Sequence, residues 1–213
     1  MIKMIKLIQV SLLAFLLTSN IKAQSFEGKI TYSNNYQSKV PNYSSEQLNN
    51  LMGTQQVYVI KGNNYKSAFN GAFIKLQMYR GDENKSYTLT GKNDTLYCED
   101  YNTNKDEAVK YELQKNKETV LGITCDVLIV EAKKSKTYFY FNSKYSINPE
   151  LFKGHNYGNW YYTISKTKAL PLKIVFENEQ FIMTSLATEI TPMKFEDNVF
   201  EIQNKSKVGK ASW

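Results

Sequence analysis

Short runs in which apolar and polar residues alternate occupy most of the chain, and most of them stop at glycine, asparagine or aspartate. From Ser25 to Asn34, Phe26, Gly28, Ile30 and Tyr32 share one face of an extended segment. Residues 55–61 return to this pattern, and Gly62-Asn63-Asn64 and Asn70-Gly71 mark tight turns on either side of 65–69. Ile74, Leu76 and Met78 alternate along 72–80. Gly81-Asp82-Glu83-Asn84 then leads into 85–90, and Gly91-Lys92-Asn93-Asp94 into 95–101. Residues 102–117 are mostly polar, with Val109, Tyr111 and Leu113 as the alternating set of an edge strand.

The longest apolar pattern is 120–141. Cys125, Val127 and Ile129 point one way and Leu128 and Val130 the other, as in a central strand covered on both sides. After a cationic turn at Lys133–Lys136, Tyr138 and Tyr140 fall on one face and Phe139 and Phe141 on the other. Leu170, Leu172, Ile174 and Phe176 open a second hairpin that returns through 181–190, and Phe195, Val199 and Phe200 close the fold. Helix is scarce. Ser44 or Ser45 can cap a short helix carrying Leu48, Leu51 and Met52 and ending at Gly53, available to lie on the concave side of a sheet. Asn148-Pro149 starts a single turn. The segment His155–Tyr162 reads as an exposed aromatic loop that Gly158 allows to bend. Roughly ten or eleven strands joined by short turns predict a mainly β, antiparallel chain with minor helix, as a curved sheet, a partial barrel or a sandwich.

The ends place this domain. Lys3 and Lys6 precede an apolar run from Leu7 to Leu17, and Ala23 offers a cleavage site, so residues 1–23 read as a secretory signal peptide. The run is about a dozen residues, short of the roughly 20 that span a bilayer, so no transmembrane anchor is expected after cleavage. No cysteine follows it where a lipoprotein signal needs one. Residues 24–203 then form one β domain, and the basic stretch 204–213 is expected to fray. Export implies a periplasmic or secreted protein. Cleavage removes three lysines and no acid, lowering the formal charge from +7 to +4. The remaining lysines are interleaved with acids, which argues against nucleic acid as a partner. An oxidising compartment favours a Cys98–Cys125 disulfide, with two separate buried thiols as the alternative.

Reaction chemistry finds little footing. His155 is the single histidine, and no neighbour in sequence equips it as a catalytic base. One histidine and two cysteines expected in a disulfide cannot assemble a zinc site. The adjacent acids Glu99-Asp100, Asp106-Glu107 and Glu196-Asp197 point to opposite faces of extended chain, unlike the opposed pair of a glycosidase. The acidic loops lack the spacing of a calcium-binding loop, and no glycine-rich phosphate loop occurs. No enzyme, metal or cofactor is expected. The aromatic segment with Tyr157, Trp160 and Tyr162 offers flat apolar faces with polar edges, suited to acyl chains, sugars or a partner protein, or to sealing one end of the sheet.

Several short segments carry a resemblance over most of the chain: Ala23-Gln24, then Phe26-Glu27-Gly28-Lys29-Ile30-Thr31-Tyr32, Leu121-Gly122-Ile123-Thr124-Cys125, and Ala169-Leu170-Pro171-Leu172-Lys173 before a late Phe200. The plan resembles small exported proteins of Bacteroidota whose fold is similar to the periplasmic lipoprotein carriers of the Lol type. That resemblance implies a strongly curved antiparallel half-barrel with helices at its mouth and acyl chains held inside. It makes Ile74, Leu76, Phe139, Phe141, Leu172 and Ile174 candidates for the concave face, beside Tyr157, Trp160 and Tyr162. Asp94-Thr95-Leu96 is similar to the short O-glycosylation acceptor of exported Bacteroidota proteins, which makes Thr95 a candidate modification site. The expected function is non-enzymatic binding of a lipid or other amphiphile. The alternative is an envelope module that docks a protein or glycan through the aromatic segment.

Overall fold

The structure is a computed structural model and describes residues 25–202 and 207–211; the expected signal peptide lies outside the described residues. Twelve strands form one sheet: β1 (Gly28–Ser38), β2 (Gln55–Lys61), β3 (Asn64–Phe69), β4 (Ile74–Arg80), β5 (Lys85–Thr90), β6 (Thr95–Asp100), β7 (Ala108–Val120), β8 (Ile123–Ala132), β9 (Lys136–Ser146), β10 (Ala169–Glu177), β11 (Phe181–Pro192) and β12 (Lys207–Lys210). Their order is β12-β6-β5-β4-β3-β2-β1-β11-β10-β9-β8-β7. Two meanders, β2 to β6 and β7 to β11, are thus joined through β1, which pairs with β2 on one side and β11 on the other. Every pairing is antiparallel except β12 on β6.

The sheet is curved and open, with β7 and β12 at its edges. Besides two irregularities where β7 pairs with β8, irregular register in three other strands accompanies the bend, since a bulge increases local twist and kinks a strand. One lies between Thr31 and Tyr32 of β1, one between Ile74 and Leu76 of β4, and two flank Pro171 in β10. Pro171 lacks an amide hydrogen, so an interior strand tolerates it where pairing is already interrupted.

On the outer face of β2 to β6, Met78, Tyr87, Leu96 and Phe200 form a core, with Leu76, Val59, Leu89, Phe195, Val199 and Ile202 packed against it. The segment after β11 therefore closes the fold as its apolar pattern predicts. The other face carries the larger core, from Ile30, Tyr32 and Ile60 to Phe152, Ile164 and Leu170.

Among the described residues there are two α-helices, α1 (Ser45–Met52) and α2 (Trp160–Thr167). Ser44 caps α1 with a full capping box, its side chain accepting from the Gln47 amide while the Gln47 side chain accepts from the Ser44 amide. Gly53 ends the helix as expected. None of its residues is buried; it rests beside β1, where the Asn49 side chain donates to the Tyr36 carbonyl and accepts from the Tyr36 amide, both at 3.0 Å. The helix lodged against the larger core is α2, which buries Thr163, Ile164 and Thr167. The expected aromatic loop is therefore a turn, exposed at Asn156, Tyr157 and Gly158 but anchored by the buried His155, that runs into a helix.

Three other expectations change. β8 is buried on both faces, yet it is second from the edge rather than central. Residues 207–210 of the expected frayed tail pair with β6 from Thr95 to Cys98. Cys98 and Cys125 are both free thiols. Eight strands lie between β6 and β8, roughly 40 Å measured along the sheet, whereas a disulfide requires Cα atoms within about 7 Å. Among the described residues no helix is long and apolar enough to cross a membrane.

Candidate binding groove

Alternation sends Tyr58, Tyr65 and Tyr79, on the neighbouring strands β2, β3 and β4, to the same face. Their rings lie 5.5 and 5.1 Å apart, and Tyr101, Tyr157 and His155 extend the stack at the far end of β6. Tyr101 and Tyr157 stack with centroids 4.5 Å apart and planes 6° apart. His155 sits inside the stack, 4.4 Å from Tyr79 and 4.7 Å from Tyr101, with Nε2 2.7 Å from the Tyr65 hydroxyl. It is 3% exposed, not the solvated side chain of an open loop. Burial lowers its pKa to about 3, so the ring is neutral at physiological pH.

Backbone hydrogen bonds from the Asn156 and Tyr157 amides to the Tyr101 carbonyl fasten this segment to the end of β6. Gly158 and Asn159 then take left-handed φ values of 60° and 58°, reversing the chain into α2. The Asn159 side chain becomes a node. Its Oδ1 accepts from Asn104 Nδ2 at 2.7 Å and from the Ala108 amide at 2.9 Å, while its Nδ2 donates to the Asp106 carbonyl at 2.8 Å. Asp106 in turn accepts from the Lys134 amide and the Ser135 hydroxyl. One network thus ties the β6–β7 loop, the β8–β9 turn and the entrance to α2 together.

Two cavities open beside this network. The outer one, about 440 Å³, is bounded by Phe139, Ile174, Phe176 and Met183 on β9 to β11 and by Glu99, Lys105 and Asp106 opposite. Seven strands separate β6 from β9 in the sheet order, so their side chains share a cavity only because the sheet curls toward this face. The inner cavity, about 150 Å³, is lined by Tyr32, Tyr58, Tyr65, Trp160, Gln56, Ser67, Gln77, Leu170, Pro171, Ile174 and Ser185. Ile174 lines both. Within the inner cavity the Tyr32 hydroxyl donates to the Pro171 carbonyl at 2.7 Å, and Gln56 Nε2 donates to the Ser67 hydroxyl at 2.8 Å. Tyr58 Oη and Trp160 Nε1 are buried with no hydrogen-bond partner. Burial pushes the Tyr32, Tyr58 and Tyr65 hydroxyls well above the ordinary phenol pKa, so they remain protonated. Burial likewise raises the Glu99 carboxyl, with Lys105 opposing.

The predicted site residues divide. Phe139, Ile174 and Tyr157 line the outer cavity, and Trp160 and Ile174 the inner one. Phe141 packs with Leu128, Val130 and Ala169 in a core beneath Phe139. Leu172 is fully buried, because the irregular register around Pro171 separates its environment from that of Ile174. Tyr162 packs on the Phe139 core and faces a separate shallow groove with Asn102 and Asn159. Leu76 belongs to the outer-face core, and Ile74 lines neither cavity. Thr95 is half-buried at the start of β6, opposite Lys207.

Sequence reasoning missed Tyr32, Tyr58, Tyr65 and Tyr79 and the polar residues Gln56, Ser67 and Gln77 beside them. Their signal was a tyrosine or amide on the same alternating face of successive strands. Among the described residues no group of three or more histidine, cysteine or acidic side chains is placed to hold a metal ion.

No family model matches the chain, and no curated protein does. Two solved structures of PNGF-II, in different crystal forms, align with TM-scores of 0.49 and 0.48 at 11% identity. The alignments cover 88% of this chain but 32% and 31% of those, so the chain spans about a third of the length of the PNGF-II structures it matches.

Proposed function

We propose that this chain is an exported binding protein that holds an amphiphilic ligand on the concave face of its sheet and does no chemistry on it. The observation that carries this reading is the pair of cavities that share Ile174 in their walls, one walled on its strand side by apolar groups and the other lined by aromatic rings and neutral polar groups. At about 440 Å³ the outer cavity falls within the size range of small-molecule sites. Phe139, Ile174, Phe176 and Met183 give an acyl or aryl group a continuous surface to cover, and the free energy comes from removing that surface from water. The lipoprotein-carrier resemblance points the same way, through a curved sheet with a ligand on its inner side.

Native mass spectrometry of the mature protein purified after export, followed by solvent extraction and lipid analysis, tests this proposal. A stoichiometric acyl-bearing adduct is expected, and Phe139→Asp should lose it. A ligand-free mass that does not change after incubation with envelope lipids would contradict carriage. It would favour the envelope-module alternative, to be pursued by capture of a protein or glycan partner.

A further inference from the structure

Two buried hydrogen-bond donors are unused at the inner end of the groove. Tyr58 is 8% exposed and its hydroxyl has no partner; the indole nitrogen of Trp160 is buried and has none either. Both side chains line the same 150 Å³ cavity. A buried donor without an acceptor costs about 1–3 kcal/mol, and two such donors on side chains that line one cavity, their polar atoms covered, are a pattern that an acceptor would relieve once the side chains turn toward it. Indole can only donate, and the Tyr58 hydroxyl stays protonated, so the complementary group is an oxygen acceptor.

The lining also sets the charge of that group. Among the described residues no acidic or basic side chain lines the inner cavity; its polar members are tyrosine, tryptophan, glutamine and serine. A carboxylate or phosphate placed there would leave water without a counter-charge, which costs far more than two hydrogen bonds return; an ammonium would draw cation–π attraction from the rings but meet two donor hydrogens and gain no hydrogen bond from them. A cavity of about 150 Å³ accommodates a group the size of benzene. Beyond Ile174 the apolar strip of Phe139, Phe176 and Met183 continues along the outer cavity.

We infer that the groove selects neutral amphiphiles and binds them polar end inward, with an ester, amide or similar oxygen accepting from Tyr58 Oη and Trp160 Nε1 and the chain lying along Phe139, Ile174 and Phe176. This rests on the binding function proposed above and adds to it a ligand class and an orientation. It also assigns Tyr58 a role that folding does not require. The hydroxyl satisfies no other residue, so removing it should cost the empty protein nothing and cost the complex a hydrogen bond.

The test is calorimetric titration of the mature protein at pH 7 with three probes of equal chain length: monodecanoylglycerol, decanoate and decyltrimethylammonium. The neutral probe should bind at least about tenfold more tightly than either charged probe. In Tyr58→Phe its affinity should fall about five- to tenfold, the worth of one hydrogen bond, while the melting temperature of the ligand-free protein stays level or rises. Equal affinity for all three probes would overturn the polar-end-inward assignment and leave the groove as an unselective apolar site. So would a Tyr58→Phe protein that melts lower yet binds the neutral probe unchanged. Failure of all three probes to bind would overturn the binding function itself.

Discussion

His155 shows how far burial alone sets the chemistry of a residue. Its folded pKa of about 3 lies below the ordinary 6.5, so between these values the unfolded chain binds a proton that the folded protein refuses. The stability that follows is fully present above pH 6.5 and is lost progressively as pH falls toward 3. Because this is the only histidine in the chain, acidification from pH 6.5 to 5, above most carboxylate titration, isolates it. Urea unfolding should show a loss of about 1.5–2 kcal/mol over that interval in wild type, following one proton at about 1.4 kcal/mol per pH unit. His155→Gln should flatten the slope; a wild-type stability that is level across the interval would show the ring to be solvated. The cysteines give a second test at this scale. Alkylation after unfolding without reductant should add two labels, because Cys98 and Cys125 are free and Cys125 is buried on β8. An unlabelled protein two hydrogens lighter would restore the disulfide.

At the scale of elements, strands bounded by turns were the most legible. β2 to β6 follow the alternation and the Gly-Asn and Asn-Gly turns closely, since register there depends on neighbours in sequence. α1 was legible from Ser44 and Gly53, because a cap is a local device. α2 was not: Trp160, Tyr161 and Tyr162 suit a strand as well as a helix, and what makes them helical is the left-handed pair Gly158-Asn159 together with the burial of Ile164. The site suffered from the same limit. Alternation assigns Tyr58, Tyr65 and Tyr79 to a common face, but the inner face depends on β1 lying between β2 and β11, a pairing between residues more than 130 positions apart. The docking of α1 shows such a long-range constraint in a small space. A Cβ on Gly71 would stand 2.4 Å from the Met52 carbonyl carbon and 2.6 Å from the Gly53 amide nitrogen, both backbone atoms. Gly71→Ala must therefore push the end of α1 away from the sheet. A loss of about 2 kcal/mol in denaturant unfolding is expected, and wild-type stability in that variant would contradict the close approach.

For the molecule as a whole, a sheet that never closes makes a cavity between strands far apart in its order. Glu99 of β6 and Phe139 of β9 face one space across seven intervening strands, and the Asn159 and Asp106 hydrogen bonds hold one end of that space together. Ile174 borders both the outer and the inner cavity, on a strand whose register shifts on either side of Pro171. It is only half-buried and borders open space, so a larger side chain there fills the groove rather than the core. The central claim is that the two cavities act as one ligand site. The most direct test is to titrate a fluorescent acyl-chain probe into wild type and Ile174→Trp side by side, with melting temperature as a control. The account predicts saturable binding to wild type and at least about tenfold weaker binding to the variant, whose fold is retained because the added ring occupies the groove. Equal affinity in the two proteins, or no binding to wild type, would contradict it.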